Sequence, residues 1–331
     1  MQRQPLGATG PQVSALGLGC MGMSGMYGPA DRHESLATLH AALEAGITLL
    51  DTGDFYGMGH NELLLAEALA AVPRERFQVS LKFGAQRDPA GRWIGFDGRP
   101  AAVKTALAYS LQRLRLDYID IYRPARLDPQ VPIEDTVGAV ADLVRAGYVR
   151  HIGLSEVGVA TVRRAAAVHP ICDLQIEYSL LSRGIEAAIL PAVRELGIAV
   201  TAYGVLSRGL ISGHWQHRTL NPGDWRALGT RFSAGNLEHN LALVEALRRL
   251  AAERRISVAQ LAVAWVRTQG ADIIPLVGAR RREQLAEALG ALAVQLRSED
   301  LAAIERAVPE GAAAGERYAP AQMAHLDSER G

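Results

Sequence analysis

Residues 47–57 read Ile-Thr-Leu-Leu-Asp-Thr-Gly-Asp-Phe-Tyr-Gly, an apolar run that ends on an acid and continues through a glycine to a phenol. The apolar part, residues 47–50, predicts a buried strand. The segment that follows, residues 61–69, predicts a helix with Asn61 as its N-cap. Asp51 and Tyr56 therefore stand where a strand ends and a loop begins. In a parallel α/β protein, that end of the sheet carries the chemistry.

The next predicted strand, residues 77–82, ends on Lys82. An ammonium about 4 Å from a phenol favours the phenolate by up to roughly 4 kcal/mol at an effective dielectric constant near 20. We therefore expect Lys82 to lower the pKa of Tyr56 toward neutrality, so that Tyr56 can act as a general acid or base. Asp51 would keep Lys82 charged. The residues alone leave a second interpretation open, in which Asp51 and Lys82 form a structural ion pair and Tyr56 only packs.

Strand and helix signals alternate along the whole chain. Strands are predicted at residues 15–19, 47–51, 77–82, 118–123, 149–154, 172–177, 198–203 and 272–277. Helical periodicity occurs at residues 34–45, 61–71, 100–115, 133–146, 158–168, 186–196, 237–254, 257–269, 281–290 and 298–308. Eight short apolar strands, each followed by an amphipathic helix, predict an α/β fold and a single (β/α)8 TIM barrel.

This barrel is predicted to be one domain, residues 1–331, with an N-terminal β-hairpin in residues 2–14 and extra helices near the C-terminus. A doubly wound open sheet is the alternative fold. It often has a Gly-rich turn after its first strand, and no G-x-G-x-x-G followed by a helix stands there.

Composition excludes several classes of function. The 331 residues are 49% apolar and 21% charged, and 35 basic residues balance 35 acidic ones, so no basic surface points to nucleic acid. The apolar runs are strand-length, which argues against a membrane span, and no signal peptide is seen. Cys20 and Cys172 fit no metal spacing and are predicted to be buried thiols. We therefore expect a cytoplasmic protein without a metal.

Two long loops and a tail interrupt the strand–helix rhythm, at residues 84–99, 207–236 and 309–331. The two loops follow the third and seventh predicted strands, so they lie on the working face of the predicted barrel, where such loops form substrate walls or lids. The candidates for lining a pocket are the tryptophans of these loops, Trp93, Trp215 and Trp225. Packing within its own loop is the alternative for each of them.

A set of ordered motifs resembles the aldo-keto reductase family, over residues 2 to about 308. The motifs are Gly17-Leu18-Gly19-Cys20-Met21-Gly22, Asp51-Thr52 with Tyr56-Gly57, Lys82, Asp117-Tyr118-Ile119-Asp120-Ile121-Tyr122, Gly153-Leu154-Ser155-Glu156, Gln175-Ile176-Glu177-Tyr178 and Pro275-Leu276-Val277-Gly278-Ala279-Arg280-Arg281. The resemblance implies a barrel that binds NAD(P)H without a Rossmann domain and reduces aldehydes and ketones. The sequence is most similar to the bacterial branch that includes general aldehyde reductases and the potassium-channel β-subunits.

The resemblance implies catalytic roles for Asp51, Tyr56 and Lys82, the same roles that the charge argument gives them. It also implies a histidine at the tip of the fourth barrel strand, which hydrogen-bonds the substrate carbonyl. Ala125 stands at that position, and an alanine cannot donate a hydrogen bond. Losing one such donor typically costs about 10²–10³ in rate.

Three nearby residues are candidates to replace the missing histidine. Arg123 and Arg126 flank Ala125 and carry donors that could polarise a carbonyl or hold an anionic group. Pairing with carboxylates such as Asp128 is the alternative for both arginines. His60, four residues after Tyr56, is the third candidate, and a plain polar position in the loop or at the helix start is its alternative.

The resemblance also implies a site for NADPH/NADP⁺. Arg280 first and Arg281 second, at the start of a helix after the last strand, would hold the adenosine 2′-phosphate. Ser155 and Gln175 match the pair that bonds the nicotinamide carboxamide, and Tyr203 matches the aromatic that stacks on its ring. The remaining matches to cofactor contacts are Gly22, Met23, Asp51, Leu206, Ser207, Gly209, Leu210, Gly278 and Gln284.

The sequence therefore predicts an NADPH-dependent alcohol:NADP⁺ oxidoreductase that reduces small carbonyl compounds. The substrate contacts would be Tyr56, Trp93, Arg123 and Arg126. The alternative is a slow or inert NADP(H)-binding redox sensor resembling the channel β-subunits, in which Ala125 reflects weakened catalysis. The sequence leaves the substrate, the physiological direction and any homo-oligomer open.

Overall fold

The computed structural model describes residues 1–213, 215 and 224–330. Part of the predicted loop at 207–236, namely residues 214 and 216–223, lies outside them. Within the described residues the strands are β1 Arg3–Pro5, β2 Gln12–Ser14, β3 Gly17–Gly19, β4 Leu49–Gly53, β5 Gln78–Phe83, β6 Ala85–Arg87, β7 Trp93–Phe96, β8 Ile119–Pro124, β9 Val149–Ser155, β10 Ile171–Glu177, β11 Ala199–Tyr203 and β12 Ile273–Gly278.

Eight parallel strands close into a barrel in the order β3-β4-β5-β8-β9-β10-β11-β12, and β12 pairs with β3. The predicted (β/α)8 barrel is confirmed, and each predicted strand end falls within two residues of the observed one. These strands read as nearly continuous apolar runs because each faces the barrel interior on one side and helices on the other. The predicted N-terminal hairpin is β1–β2, an antiparallel pair.

The helices surround the barrel. They are α1 Arg32–Glu44, α2 His60–Leu69, α3 Pro100–Leu114, α4 Ile133–Arg145, α5 Val159–Val168, α6 Ile189–Glu195, α7 Asn236–Glu253, α8 Val258–Thr268, α9 Arg282–Gly290, α10 Ser298–Ala307 and α11 Pro320–Met323. Short 3₁₀ turns occur at Met21–Ser24, Arg74–Arg76, Ser207–Ser212, Trp225–Leu228, Thr230–Phe232, Ala291–Ala293 and Asp327–Glu329. Among the described residues, no helix combines the length and apolarity that crossing a membrane requires.

The ten predicted helices all form, but three local features differ from the predictions. The hairpin β6–β7 within the predicted loop at 84–99 and the short helix α11 in the tail carry no clear periodicity, and the sequence did not predict them. The predicted N-cap of α2 is wrong, because α2 starts one residue earlier, after Gly59. Asn61 is instead buried in the first turn, where its side chain bonds Thr52 and Ser24.

The register of the parallel strands brings the functional side chains to one end of the barrel. Gly53 of β4 lies opposite Lys82 of β5, and Lys82 lies opposite Arg123 of β8. On the other side of the barrel, Ser155 of β9 lies opposite Gln175 of β10. The carboxyl ends of these strands are the end at which barrel enzymes place their active sites.

Candidate active site

The predicted ion pair is present at this end of the barrel. Lys82 Nζ lies 2.5 Å from Asp51 Oδ2 and also donates to the carbonyl of Thr52, at 3.3 Å. Both charged side chains are almost fully buried. Tyr56 is buried beside them, with the Lys82 ammonium 5.2 Å from the centroid of its ring. The structure therefore brings the three predicted catalytic residues together.

The pKa of Tyr56 does not shift in the direction expected from the sequence. Burial raises the pKa of Tyr56 well above its usual value, and the Asp51 carboxylate raises it further. Asp51, at hydrogen-bond distance, offsets part of the positive charge of Lys82, so burial outweighs the effect of that charge on the phenol. Burial also lowers the pKa of Lys82. Tyr56 is therefore held as the protonated phenol.

Further hydrogen bonds hold Asp51 in place. Its Oδ1 accepts from Ser80 Oγ at 2.9 Å and from Gln175 Nε2 at 2.7 Å. Gln175, predicted to contact a cofactor, thus links the tenth strand to the ion pair across the barrel. These bonds fix the carboxylate so that its other oxygen faces Lys82.

Arg123 lies in the barrel interior and not in an open pocket. It is fully buried, and it donates to Asp173 Oδ2 at 2.8 Å and to Ser80 Oγ at 2.9 Å. The predicted alternative of a carboxylate partner therefore holds for Arg123, although the partner is Asp173 and not Asp128. Arg123 also donates to Ser80, which in turn donates to Asp51, so Arg123 helps to hold the Asp51 carboxylate in place.

Arg126 is placed differently from Arg123. Its guanidinium donates to the carbonyl of Ala125 at 2.6 Å and to the hydroxyl of Tyr318 at 3.1 Å. Burial and the Asp51 carboxylate raise the pKa of Tyr56, and the positive charge of Arg126 partly offsets this rise. Burial lowers the pKa of Lys82, and the charge of Arg126 lowers it further. Arg126 therefore lies near the catalytic residues. Ala125 itself is buried. His60 is exposed and pairs with Ser24 through Nδ1 at 3.0 Å, away from these groups.

The C-terminal segment, which the sequence left unassigned, folds over the barrel mouth. Arg317 donates to both carboxylate oxygens of buried Glu156, at 2.9 and 2.5 Å. The next residue, Tyr318, places its hydroxyl 2.7 Å from that of Tyr203. Tyr203 in turn donates to Glu156 Oε1 at 2.6 Å. No periodicity marks residues 309–319, so sequence patterns offered no signal for either contact.

The predicted nicotinamide-binding pair has one group without a partner. Ser155 is buried, and its Oγ has no hydrogen-bond partner in the described structure. It lies in register with Gln175, whose amide bonds Asp51. A buried hydroxyl without a partner costs roughly 1–3 kcal/mol. Ser155 therefore fits a site that a polar ligand group completes.

The predicted phosphate-binding arginines differ in what they contact. Arg280 donates through Nη1 to the carbonyls of Tyr27 at 3.2 Å and Pro29 at 3.0 Å, which ties it to the loop after β3. Its backbone N–H donates to Gln284 Oε1 at 3.1 Å. Arg281 is exposed at the start of α9, and no side-chain hydrogen bond or ion pair of it occurs within the described residues.

The remaining predicted cofactor residues line the same end of the barrel. Met23 and Leu210 are buried, and Ser207 Oγ lies 2.9 Å from Ser179 Oγ. A side chain on Gly278 would meet no atom within 4 Å, so this strand end borders open space. The others flank these positions: Gly22, Leu206 and Gly209.

The predicted pocket tryptophans fall into two groups. Trp225 stacks on Tyr318, with ring centroids 6.2 Å apart, and its Nε1 is buried without a partner in the described residues. Trp93 is 43% exposed and contacts Phe55, which itself packs edge-on against Tyr56. Trp215 packs on Phe232 within its own loop, as the alternative interpretation predicted. Trp225 and Trp93 are thus the two at the barrel mouth.

Asp54, two residues before Tyr56, gives a prediction for pH dependence. Burial, with a smaller contribution from Glu62, raises the pKa of Asp54 to about 7. Stability from this group is therefore lost as pH rises from about 4 to about 7 and stays constant above that. We expect Asp54→Asn to raise the free energy of unfolding at pH 8 by up to about 4 kcal/mol, and by much less at pH 4.5.

Urea unfolding at both pH values measures the effect of Asp54→Asn. The matched control is Asp135→Asn, which removes the same charge from an exposed position on α4. A gain in stability for Asp54→Asn that is equal at pH 4.5 and pH 8 would show that the Asp54 carboxyl has no raised pKa.

Comparisons with known proteins agree with this geometry. The family model described as the aldo/keto reductase family matches residues 15–309. A soybean (Glycine max) protein described as "Probable aldo-keto reductase 1" is 43% identical over 321 residues, which covers 96% of this chain and 92% of the relative. The chain belongs to the aldo/keto reductase family, whose members reduce carbonyl compounds with a nicotinamide cofactor.

Solved structures of the family superpose on the barrel. The glycerol dehydrogenase AKR11B4 from Gluconobacter oxydans shares 31% identity, with a TM-score of 0.82 over 90% of this chain and 92% of its own. The aldo-keto reductase AKR11C1 from Bacillus halodurans, in its holo form, shares 26% identity, with a TM-score of 0.77 over 93% and 96% of the two chains. These relatives support an oxidoreductase with this fold.

Proposed function

We propose that this protein is an NADPH-dependent reductase of aldehydes and ketones in which Tyr56 is the proton donor. The observation that carries the proposal is the buried Lys82–Asp51 ion pair against the phenol of Tyr56, at the mouth of an aldo/keto reductase barrel. A phenol beside an ammonium at the carboxyl end of a parallel barrel can protonate a carbonyl oxygen as it is reduced.

The residues present fit a nicotinamide cofactor. Ser155, with its buried hydroxyl unpaired, and Gln175 would bond the carboxamide, and Tyr203 would lie against the ring. Arg280 and Arg281, at the start of α9, would hold the 2′-phosphate of adenosine. When bound, NADPH would supply the hydride that reduces the carbonyl carbon.

Tyr56 holds its proton until the carbonyl oxygen gains charge. Burial keeps Tyr56 protonated across the physiological pH range. Nearly every enzyme molecule therefore carries the proton that reduction requires. When the phenol gives up its proton, Lys82 stabilises the phenolate that remains. Asp51, fixed by Ser80 and Gln175, keeps Lys82 oriented during this change. Because the free phenol resists ionisation, reduction is the direction we expect to be faster at neutral pH.

A steady-state assay tests the proposed function. Purified protein is mixed with NADPH and a panel of aldehydes and ketones, and the loss of absorbance at the reduced cofactor's wavelength is followed. Turnover of at least one carbonyl compound above the rate without enzyme supports the proposal. No turnover with either NADPH or NADH, across the panel, contradicts it.

A second candidate function rests on the fourth position of the site. Ala125 is buried and has no side-chain donor, and Arg123 donates to Asp173, Ser80 and the carbonyl of Leu154 inside the barrel, with its Nε unpaired among the described residues. A protein that binds NADP(H) tightly but turns over slowly would act as a redox sensor, as the resemblance to channel β-subunits suggests. Tight binding of NADPH with no turnover in the same assay would support this second function instead.

The choice between NADPH and NADH gives a further prediction. Arg281, at the start of α9, makes no side-chain hydrogen bond to any residue that the structure describes, whereas Arg280 is engaged with backbone carbonyls. A charge-assisted hydrogen bond contributes about 1.5–3 kcal/mol. We therefore expect Arg281→Ala to raise the KM for NADPH by roughly tenfold or more, since each 1.4 kcal/mol is a factor of ten. The KM for NADH should stay within about twofold, because NADH lacks the 2′-phosphate.

The control for Arg281→Ala is Arg248→Ala, which removes an exposed arginine of α7 that pairs with Glu245. It should change neither KM. An equal rise of both KM values in Arg281→Ala would show that Arg281 contacts a part that the two cofactors share, and no change in either would show that it does not contact the cofactor.

A further inference from the structure

Several arginines at the barrel mouth have carboxylate partners, whereas Arg126, like Arg280 and Arg281, has none among the described residues. The ion pairs are Arg317 with Glu156, Glu177 and Glu329, Arg208 with Glu177, Arg231 with Glu177, and Arg226 with Asp224. Among the described residues, Arg126 has no carboxylate within ion-pair distance.

The side chain of Arg126 is partly buried. It has two neutral partners, the carbonyl of Ala125 and the hydroxyl of Tyr318. These occupy two of its five N–H donors, so three have no hydrogen-bond partner in the part of the chain that the structure describes. Partial burial of a cation without an ion-pair partner carries a desolvation cost, and the Glu156 carboxylate, which acts on Arg126 at a distance, is already paired with Arg317. An anionic ligand at this point would recover that cost.

Tyr318 does not supply the anion, because its hydroxyl is the hydrogen-bond donor to Tyr203. Tyr203 donates to Glu156, so its hydroxyl accepts from Tyr318, and Tyr318 in turn accepts from Arg126. The hydrogen bonds therefore run in one direction, from the guanidinium through two phenols to the carboxylate. This chain of hydrogen bonds holds Arg126 in one orientation.

Arg126 also lies where a substrate must come. It is two residues beyond the end of β8, and its charge acts on both Tyr56 and Lys82. The neighbouring Ala125 has only a methyl group in place of the larger histidine that the family carries there. A substrate that reaches Tyr56 would therefore pass close to an unbalanced guanidinium.

We infer that the substrate carries a carboxylate besides its carbonyl group, and that Arg126 holds this carboxylate. This inference rests on the proposed function and names its substrate class, an oxo acid. A carboxylate accepts two parallel hydrogen bonds from one guanidinium, which fixes the position of the substrate as well as attracting it. A role for Arg126 in polarising the carbonyl alone would treat charged and neutral substrates alike.

Matched pairs of aldehydes test the inference. The 2-, 3- and 4-carboxybenzaldehydes are each compared with their methyl esters, which keep the shape and remove the charge. We expect the wild-type protein to favour at least one acid over its ester by tenfold or more in kcat/KM. In Arg126→Gln this ratio should fall to within about twofold of one, and in Arg126→Lys it should be intermediate.

The control variant is Arg163→Gln, which removes an exposed arginine that pairs with Glu195 outside the barrel. Its acid-to-ester ratio should equal that of the wild type. Dissociation constants for NADPH, from quenching of tryptophan fluorescence, are measured for each variant. If Arg126→Gln weakens NADPH binding and slows acid and ester equally, the charge of Arg126 serves the cofactor and the inference is overturned.

The remaining outcomes separate this inference from the proposed function. If acids and esters are all reduced at similar rates by the wild type, the inference fails and the reductase function stands. If the preference for an acid survives in Arg126→Gln, another group holds the carboxylate and the inference also fails. If no compound is reduced by the wild-type protein, the proposed function itself has failed.

Discussion

Tyr56→Phe should lower kcat for carbonyl reduction by roughly 100-fold or more, because general acid catalysis contributes about 10²–10⁴. The substitution removes one oxygen atom and leaves the ring in its packing against Phe55. Binding of NADPH should persist, since the residues proposed to hold the cofactor lie on other strands. Steady-state kinetics and a fluorescence titration with NADPH measure the two effects separately.

Tyr122→Phe is the matched control for Tyr56→Phe. Tyr122 is another buried phenol of the barrel, but its hydroxyl donates to the carbonyl of Val103 at 3.1 Å, on the side of the helices. Its loss should cost stability of about 1 kcal/mol and little activity. A wild-type rate in Tyr56→Phe would show that another group donates the proton.

The barrel could be predicted from the sequence because its signal is repeated. Each strand is a short apolar run with turn residues at its ends. An error of a few residues in the predicted bounds of one strand leaves the predictions for the other seven unchanged. The predicted set of Asp51, Tyr56 and Lys82 followed from the same regularity, because parallel strands end at one edge. Cys20 and Cys172 are also buried free thiols, as predicted.

Features that depend on one long-range contact could not be predicted. Tyr318 meets Arg126 across a separation of 192 residues, and residues 309–319 carry no pattern that points to the barrel mouth. Arg123 and Arg126 look alike in the sequence, yet one faces Asp173 in the interior and the other does not. The pKa of Tyr56 was misjudged because burial, which the sequence does not quantify, outweighs the charge of a lysine that Asp51 already balances.

Lys82→Met is expected to have the second large effect, on both stability and rate. Methionine has a similar length but no charge, so the buried Asp51 loses its partner while Ser80 and Gln175 still donate to it. Breaking a buried ion pair by removing one member costs about 3–5 kcal/mol. The rate of reduction should also fall, since the phenolate of Tyr56 would form without a neighbouring ammonium. Urea unfolding and steady-state kinetics measure these losses.

The double variant Lys82→Met/Asp51→Asn separates the two roles of Lys82. An asparagine at position 51 removes the unpaired charge and can still accept from Ser80, so most of the lost stability should return. The rate should not return, because the ammonium that stabilises the phenolate is still absent. If stability and rate recovered together, the Asp51–Lys82 pair would be structural, as the second interpretation of the sequence had it, and Tyr56 would need another source of acidity.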